Sequence, residues 1–509
     1  MPFISIFNDV LGPVMRGPSS SHTAGAHRIG LMVRDLLGDA PERARVTFDP
    51  EGSMAPTWRP LGVDLAFTSG VMGWSMLDRD YLASVDRARE AGVAVDFEIA
   101  PLEGTNHPNG MLIELTSSTG RRLQVVAEAV GGGGVRIVRV DRCLVDLDGT
   151  SHVVMVEVAG ADELTVAALM PGGVRTESRG SVLIAESTVD APDAKRLAEL
   201  RHVPGVSGVW SVAPVFFGRR GPTLFESTGE MVAIAESGRR TLGEIALTYE
   251  SQLLGLTEDE ALEEMLQRLR VMEQSVTAGF DDHRSDMLLL KPTAAGILAA
   301  EERGALAIGG IHTRAAARAM AVMHHCNSRG VVCAAPTGGS AGVLPGVVTS
   351  LVEALDLSTR RTALVLFAAS AVGLIVARRA TFAAEIAGCQ VEIGVAGAMA
   401  AAAVVEAAGG TPRQAVDAAA VSLQNTMGSP CDPVAGACEI PCHTRNAVAA
   451  SSAFTCADLV LGGYVNPIPL DETIDASYEV GRALPSELRC TARGGCAVTP
   501  SALSMKRLR

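Results

Sequence analysis

Lysine is almost missing from this 509-residue chain: Lys195, Lys291 and Lys506 are all it has. Lys291 stands directly before Pro292 in a turn, so no lysine is placed to form a Schiff base. Positive charge is scarce as well. With 43 Lys and Arg against 57 Asp and Glu the net charge is −14, which argues against a nucleic-acid or anionic-membrane partner. Aromatic residues make up 4% of a chain that is 48% hydrophobic, so the core must be built from Ala, Val and Leu. The opening Met1-Pro2-Phe3-Ile4 lacks a basic stretch followed by a long apolar run, and no signal peptide is expected. The most apolar stretch, 362–377, falls short of a membrane span and runs into Arg378-Arg379, so it reads as a helix buried in a large core. None of the ten cysteines forms a CxxC pair, which removes a zinc ribbon and fits a reducing cytoplasm better than a disulfide framework. The Gly131–Gly134 run lacks GxGxxG spacing, and the Gly-rich stretch 333–346 lacks the Gly-Lys-Ser/Thr of a phosphate loop.

What is present is a concentration of sulfur in turns. Cys389 lies in Gly388-Cys389-Gln390-Val391-Glu392-Ile393-Gly394, and Cys431, Cys438 and Cys442 lie in the Gly/Pro-rich run 429–442. Thiolates are the soft ligands of iron–sulfur clusters, and backbone amides in such turns can point at sulfur. Cys389, Cys431 and Cys442 are therefore candidates to hold three irons of a [4Fe–4S] cluster and leave the fourth open as a Lewis acid. The competing reading is inert core cysteine.

Two stretches are suited to an anion. Ser19-Ser20-Ser21-His22-Thr23 opens a helix, where hydroxyls, free N–H groups and the helix dipole converge, and three serines exceed what one cap requires. Thr337-Gly338-Gly339-Ser340 leads into another helix with backbone amides and two hydroxyls, and suits a carboxylate. His107 reads as a turn residue. The adjacent His324-His325-Cys326 cannot share one helix face, so a metal site there is disfavoured.

The chain reads as multidomain, in keeping with a prior of roughly two to four domains. Residues 1–148 form an α/β N-terminal domain, with strands at 45–48, 95–99, 110–115 and 122–129. Residues 149–216 alternate βαββαβ, the ferredoxin-like order, and resemble an ACT domain, although the turn 158–162 lacks Asp-x-Pro-Gly; a packing or dimerisation role is the alternative. Residues 217–230 are a linker, and 231–509 are expected to be an all-α catalytic domain. There Thr257 caps a helix over 258–277 with Glu260 completing a capping box, and Ala/Gly-rich helices are expected over 363–378, 394–408 and 413–424.

Taken together, these motifs resemble the iron–sulfur-dependent L-serine dehydratases (L-serine ammonia-lyases) whose β and α parts are fused. The β part is carried by the run 17–25, by His107-Pro108-Asn109 and by the Gly131–Gly134 run, and the α part by 335–342, 388–394, 431–436, 439–442 and Arg445-Asn446-Ala447. The resemblance implies a [4Fe–4S] cluster on Cys389, Cys431 and Cys442, and elimination of water from L-serine or a close β-hydroxy amino acid to give pyruvate and ammonia. It also implies a homodimer in the cytoplasm with no nucleic-acid or membrane partner. The substrate carboxylate is then assigned to Ser19, Ser20, Ser21 and Thr23 or to Thr337, Gly338, Gly339 and Ser340. His22 is the first candidate for the base that removes the α-proton, with donation to the carboxylate as its other role. The chain departs from the family pattern at Cys438, Cys490, Cys496 and the segment 279–286. In some relatives a C-terminal cysteine covers the open iron; this chain ends Lys506-Arg507-Leu508-Arg509, which leaves Cys490 or Cys496 for that part. Two other functions stay open: a cluster-dependent L-cysteine desulfidase, and a non-catalytic amino-acid or redox sensor on the same fold.

Overall fold

The computed structural model describes residues 3–158, 163–178, 181–281 and 286–508. Four of the sequence readings thereby lie partly outside the described residues: the opening Met1-Pro2, the turn 158–162, the divergent segment 279–286 and the last residue of the C-terminal tetrapeptide.

The N-terminal part is built on a six-stranded sheet in the order Ala94–Ile99, Pro41–Phe48, Gly110–Ser117, Arg122–Gly131, Gly134–Val140, Cys143–Leu147. Neighbours are antiparallel except Pro41–Phe48 and Ala94–Ile99, which run parallel. The glycine run proves to be a hairpin turn. Gly131 pairs with Gly134, and the two central residues, Gly132 and Gly133, have φ of 58° and 88°, the left-handed values a two-residue type I′ loop requires. The helix Ala26–Leu37 buries Ile29, Met32, Val33, Leu36 and Leu37 against the sheet core.

Four strands, His152–Val158, Val174–Ser178, Ser181–Thr188 and Val206–Val212, and two helices, Glu163–Leu169 and Ala194–His202, follow in βαββαβ sequence. Their sheet order, numbered along this unit, is 4-1-3-2 with every neighbouring pair antiparallel, and the unit has a small core of its own around Val154, Val156, Val166 and Leu200.

From Thr228 onward the described residues are helical, apart from an isolated bridge between Cys431 and Arg489 and one short strand that departs from the all-helical expectation. Val331–Cys333 forms a short strand antiparallel to Val14–Arg16, over three hundred residues away. Three residues carry no periodicity of their own, and only the distant partner makes them a strand. The same N-terminal stretch is tied to the helical part by Glu250, which accepts N–H groups from Ile6 at 2.8 Å and Phe7 at 2.9 Å. Thr257 and Glu260 form the capping box of the helix Glu258–Gly279. Two stretches, Thr359–Arg379 and Cys389–Ala407, are long and apolar enough to cross a membrane, but 83% and 94% of them is buried inside the protein, as expected of central core helices. Their Ala-rich surfaces let neighbours pack on every side, and they share one core cluster with Cys389, Cys431 and Cys490.

Candidate active site

The serine-rich, glycine-rich and Cys389 motifs lie where one element gives way to another. Ser19 and Ser20 begin a tight helical turn, Ser20–Gly25, that feeds the helix Ala26–Leu37. In it His22 is 1% exposed and both ring nitrogens are engaged: Nδ1 lies 3.0 Å from Ser19 Oγ, and Nε2 lies 2.8 Å from Thr57 Oγ1. Thr57 donates its own hydroxyl proton to the Ser53 carbonyl at 2.5 Å, so its oxygen receives His22 Nε2–H. That leaves Nδ1 as an acceptor for the Ser19 hydroxyl. Burial pushes the His22 imidazole down to about 3, which favours the neutral ring while no substrate is bound. Thr23 is held inward, donating to the Arg16 carbonyl at 3.0 Å. The Ser20 hydroxyl is 1% exposed and without a hydrogen-bond partner.

The second anion-suited loop folds on itself. Thr337 N donates to Ser340 Oγ at 3.2 Å, and Ser340 Oγ donates to the Ala335 carbonyl at 3.1 Å. Asn446 braces the loop, accepting from Gly342 N at 3.1 Å and donating to the Gly339 carbonyl at 2.9 Å. The two loops touch. A Cβ on Gly338 would stand 2.9 Å from Ser20 N, 3.0 Å from the Pro18 carbonyl oxygen and 3.1 Å from Ser19 Cα, all backbone atoms, so only glycine fits. On its other side the loop meets the sulfur-bearing segments: a Cβ on Gly339 would lie 3.5 Å from Cys438 Sγ and 3.6 Å from Glu392 Oε2.

The thiols fall into linked sets. Cys389, Cys431 and Glu392 place their ligand atoms within 4.8 Å of one another. Cys442 lies outside that group; its thiol is hydrogen-bonded with that of Cys438 in a small cluster with Leu61 and Met323. Arg445 joins the sets, facing Cys389, Asp432 and Cys442. The hydrogen bond from Cys431, followed by the Arg445 charge, brings the Cys389 thiol down to about 7, which favours the thiolate a metal needs. Desolvation pushes Glu392 well above the ordinary carboxylate range, with Cys389 adding to it. Cys490 is brought in by its N–H, which donates to the Cys431 carbonyl at 2.8 Å, and its thiol is hydrogen-bonded with that of Cys431. Cys496 stays exposed. A cavity of about 560 Å³ opens beside Cys389 and Arg445. His324 and His443 lie together, with ring centroids 5.3 Å apart, and form no part of this thiol group.

Three participants carried no signal of role in the sequence. Glu392 sat unassigned in the Cys389 motif. Glu385, 4% exposed, accepts from Asn109 Nδ2 and from Ser21, and burial raises it to about 7. Asn109 Oδ1 is buried without a partner. Thr57 belonged to no motif, and its position beside Gly436 emerges only in the fold. The spacing of Glu385, four residues before Cys389, was the one available hint.

Soft thiols, a carboxylate and a low-lying Cys389 in a buried setting make a donor set that an iron–sulfur cluster would accept. A family model described as "Serine dehydratase alpha chain" matches residues 195–497. Among similar chains, a probable L-serine dehydratase alpha chain of Bacillus subtilis (strain 168) is 37% identical over 284 residues, 56% of this chain and 95% of that one. A probable L-serine dehydratase alpha chain of Latilactobacillus sakei is 48% identical over 179 residues, 35% of this chain and 86% of that one. L-serine dehydratase 1 of Escherichia coli (strain K12) is 37% identical over 186 residues, 35% of this chain and 40% of that one.

Proposed function

The chain belongs to the serine dehydratase alpha chain family, and on that premise we propose that it is an L-serine ammonia-lyase that turns L-serine into pyruvate and ammonia. We assign the cofactor as a [4Fe–4S] cluster held by Cys389, Cys431 and Cys442, which when bound supplies a Lewis-acidic iron for the departing β-hydroxyl. One observation carries the reading: the contact of Gly338 with the Ser19–Ser20 backbone and of Gly339 with Glu392 and Cys438 sets an anion cradle against a sulfur-lined wall.

In that arrangement the unpartnered Ser20 hydroxyl and the Ser19–Thr23 turn take the substrate carboxylate, and Asn109 Oδ1 is the open acceptor for its ammonium. His22 receives the α-proton at Nδ1, the nitrogen to which Ser19 donates. An isolated imidazole with an affinity near 3 is a weak base, but a carboxylate bound beside it favours the imidazolium and lifts that affinity when substrate is present. Thr57 fixes the tautomer. A second reading gives the proton to Glu385, whose value near 7 already suits a base at neutral pH. After elimination the enamine tautomerises and hydrolyses in water.

We further assign residues 1–148 as an α/β domain of the serine-dehydratase β type and 231–509 as the catalytic domain that carries the cluster, with 217–230 as the linker. Residues 149–216 are assigned as an ACT-like unit, and the enzyme as a cytoplasmic homodimer. The test is product release by anaerobically reconstituted protein from L-serine, L-threonine and L-cysteine. Pyruvate from serine is expected to dominate. Sulfide release from cysteine at a higher kcat/KM would make the enzyme a desulfidase, and no turnover despite a full cluster would leave a sensor.

A further inference from the structure

The carboxylate of Glu392 occupies a place that the proposed reaction does not explain. It lies at the junction between the single turn Cys389–Val391 and the core helix Ile393–Ala407, with φ −108° and ψ −82°, a backbone shape that belongs to neither element. Both carboxylate oxygens meet the Gly339 side of the substrate loop, at 3.6 and 3.7 Å from the position a Cβ would take there, and one oxygen is within 4.8 Å of the Cys389 and Cys431 sulfurs.

The groups that face this carboxylate are the thiols of Cys389, Cys431, Cys438 and Cys490, the carboxyl of Glu385 and the hydroxyl of Thr337, which donates to it. None is a cation. Two guanidinium groups lie in this region and both are turned elsewhere: Arg445 to Asp432 at 2.9 Å and to the Pro430 carbonyl at 2.7 Å, and Arg489 to the Ile386 carbonyl at 3.2 Å. A half-buried carboxylate set among thiols and a second carboxyl group is costly unless it holds a proton or a positive centre joins it. Three cysteines leave one corner of a four-iron cluster without a protein sulfur, and a hard oxygen donor is the complement that corner lacks.

We propose that Glu392 is the fourth protein ligand of the metal centre, an oxygen donor to the iron that the cysteines leave uncovered when no substrate is bound. The inference rests on the cluster assignment above. It gives the Thr337 hydroxyl the part of an outer support that orients a ligand, and it ties that ligand to the loop that takes the substrate. A carboxylate is also a ligand that exchanges, so the same iron remains reachable by an incoming hydroxyl.

The test compares wild type with Glu392→Gln, both loaded anaerobically with iron-57 and sulfide and read by iron count, Mössbauer and electron paramagnetic resonance. Wild type is expected to hold about four irons, one of them a distinct oxygen-ligated subsite that shifts when L-serine is added. Glu392→Gln is expected to fall to about three irons and, after mild oxidation, to give the resonance of a cluster missing one corner. An unchanged iron count and an unchanged distinct subsite in Glu392→Gln would overturn the inference and hand the corner to water. If that variant does not fold, wild type labelled with carboxyl-carbon-13 glutamate decides by electron–nuclear double resonance: a carbon coupling to the cluster is expected, and its absence overturns the inference. Wild type that takes up no iron at all would instead overturn the cluster assignment beneath it.

Discussion

Removing Glu439 should loosen the segment that carries the thiols. This side chain is 2% exposed and sits between Cys438 and Cys442. Its Oε1 accepts the N–H of Leu288 at 2.6 Å, and its Oε2 accepts those of Leu289 at 2.9 Å and Leu290 at 2.8 Å. Hydrogen bonds to a charged group contribute about 1.5–3 kcal/mol each, and a buried donor left unpaired costs about 1–3 kcal/mol. Leu289 is buried and its two neighbours are partly so. Discounting the outer amides, which water can reach, Glu439→Ala should therefore cost about 3–5 kcal/mol. Glu439→Gln keeps the two bonds to one oxygen but turns an NH₂ toward the Leu288 N–H, for about 1–3 kcal/mol. A chain with several cores need not unfold in one step, so the assay is local: hydrogen–deuterium exchange over residues 288–290. At about 1.4 kcal/mol per decade, exchange should speed up roughly a hundredfold or more in the alanine variant and roughly five- to a hundredfold in the glutamine variant. Equal rates in all three proteins, or a glutamine variant faster than the alanine one, would refute the reasoning.

Other substitutions probe the cradle. Thr57→Val keeps the volume but strands the His22 Nε2–H, at a cost of about 1–3 kcal/mol; it should lower kcat in steady-state assays, and Thr57→Ser should restore it. Gly338→Ala drives a methyl against the Ser19–Ser20 backbone and should raise KM for serine about tenfold or more, with little change in far-ultraviolet circular dichroism. Glu385 is raised from 4.5 to about 7, so the stability it contributes is full below pH 4.5 and is lost as pH rises through about 7. Glu385→Gln keeps an acceptor for Asn109, and the variant should lack up to about 3 kcal/mol of the wild-type decline between those values, measured as Tm against pH.

Much of this was legible because it is local. The Thr257–Glu260 cap, the strand Ser181–Thr188 and the helix Pro412–Gln424 follow from residues within one turn or one alternation of each other. The sulfur motifs were legible because cysteines in Gly/Pro turns have few other uses. What stayed hidden depends on contacts distant in sequence. Val331–Cys333 becomes a strand only against Val14–Arg16. Thr57 meets His22 because the short helix Met54–Thr57 folds over the serine turn. The glycine hairpin at Gly132–Gly133 read as an isolated run, because the strand after it, Gly134–Val140, was not recognised as its partner. Glu392 and Glu385 carried no assignment in the sequence, and only their place beside thiols and hydroxyls in the fold sets them apart.

Protein purified without oxygen, assayed for bound iron and labile sulfide and examined by ultraviolet–visible absorption, puts the metal assignment to the test. The thiol-lined wall at Cys389 and Cys431 predicts a brown protein with about four irons per chain whose colour bleaches in air as pyruvate formation from L-serine is lost. Colourless, iron-free protein that stays so after attempted loading, yet still deaminates L-serine, would contradict it.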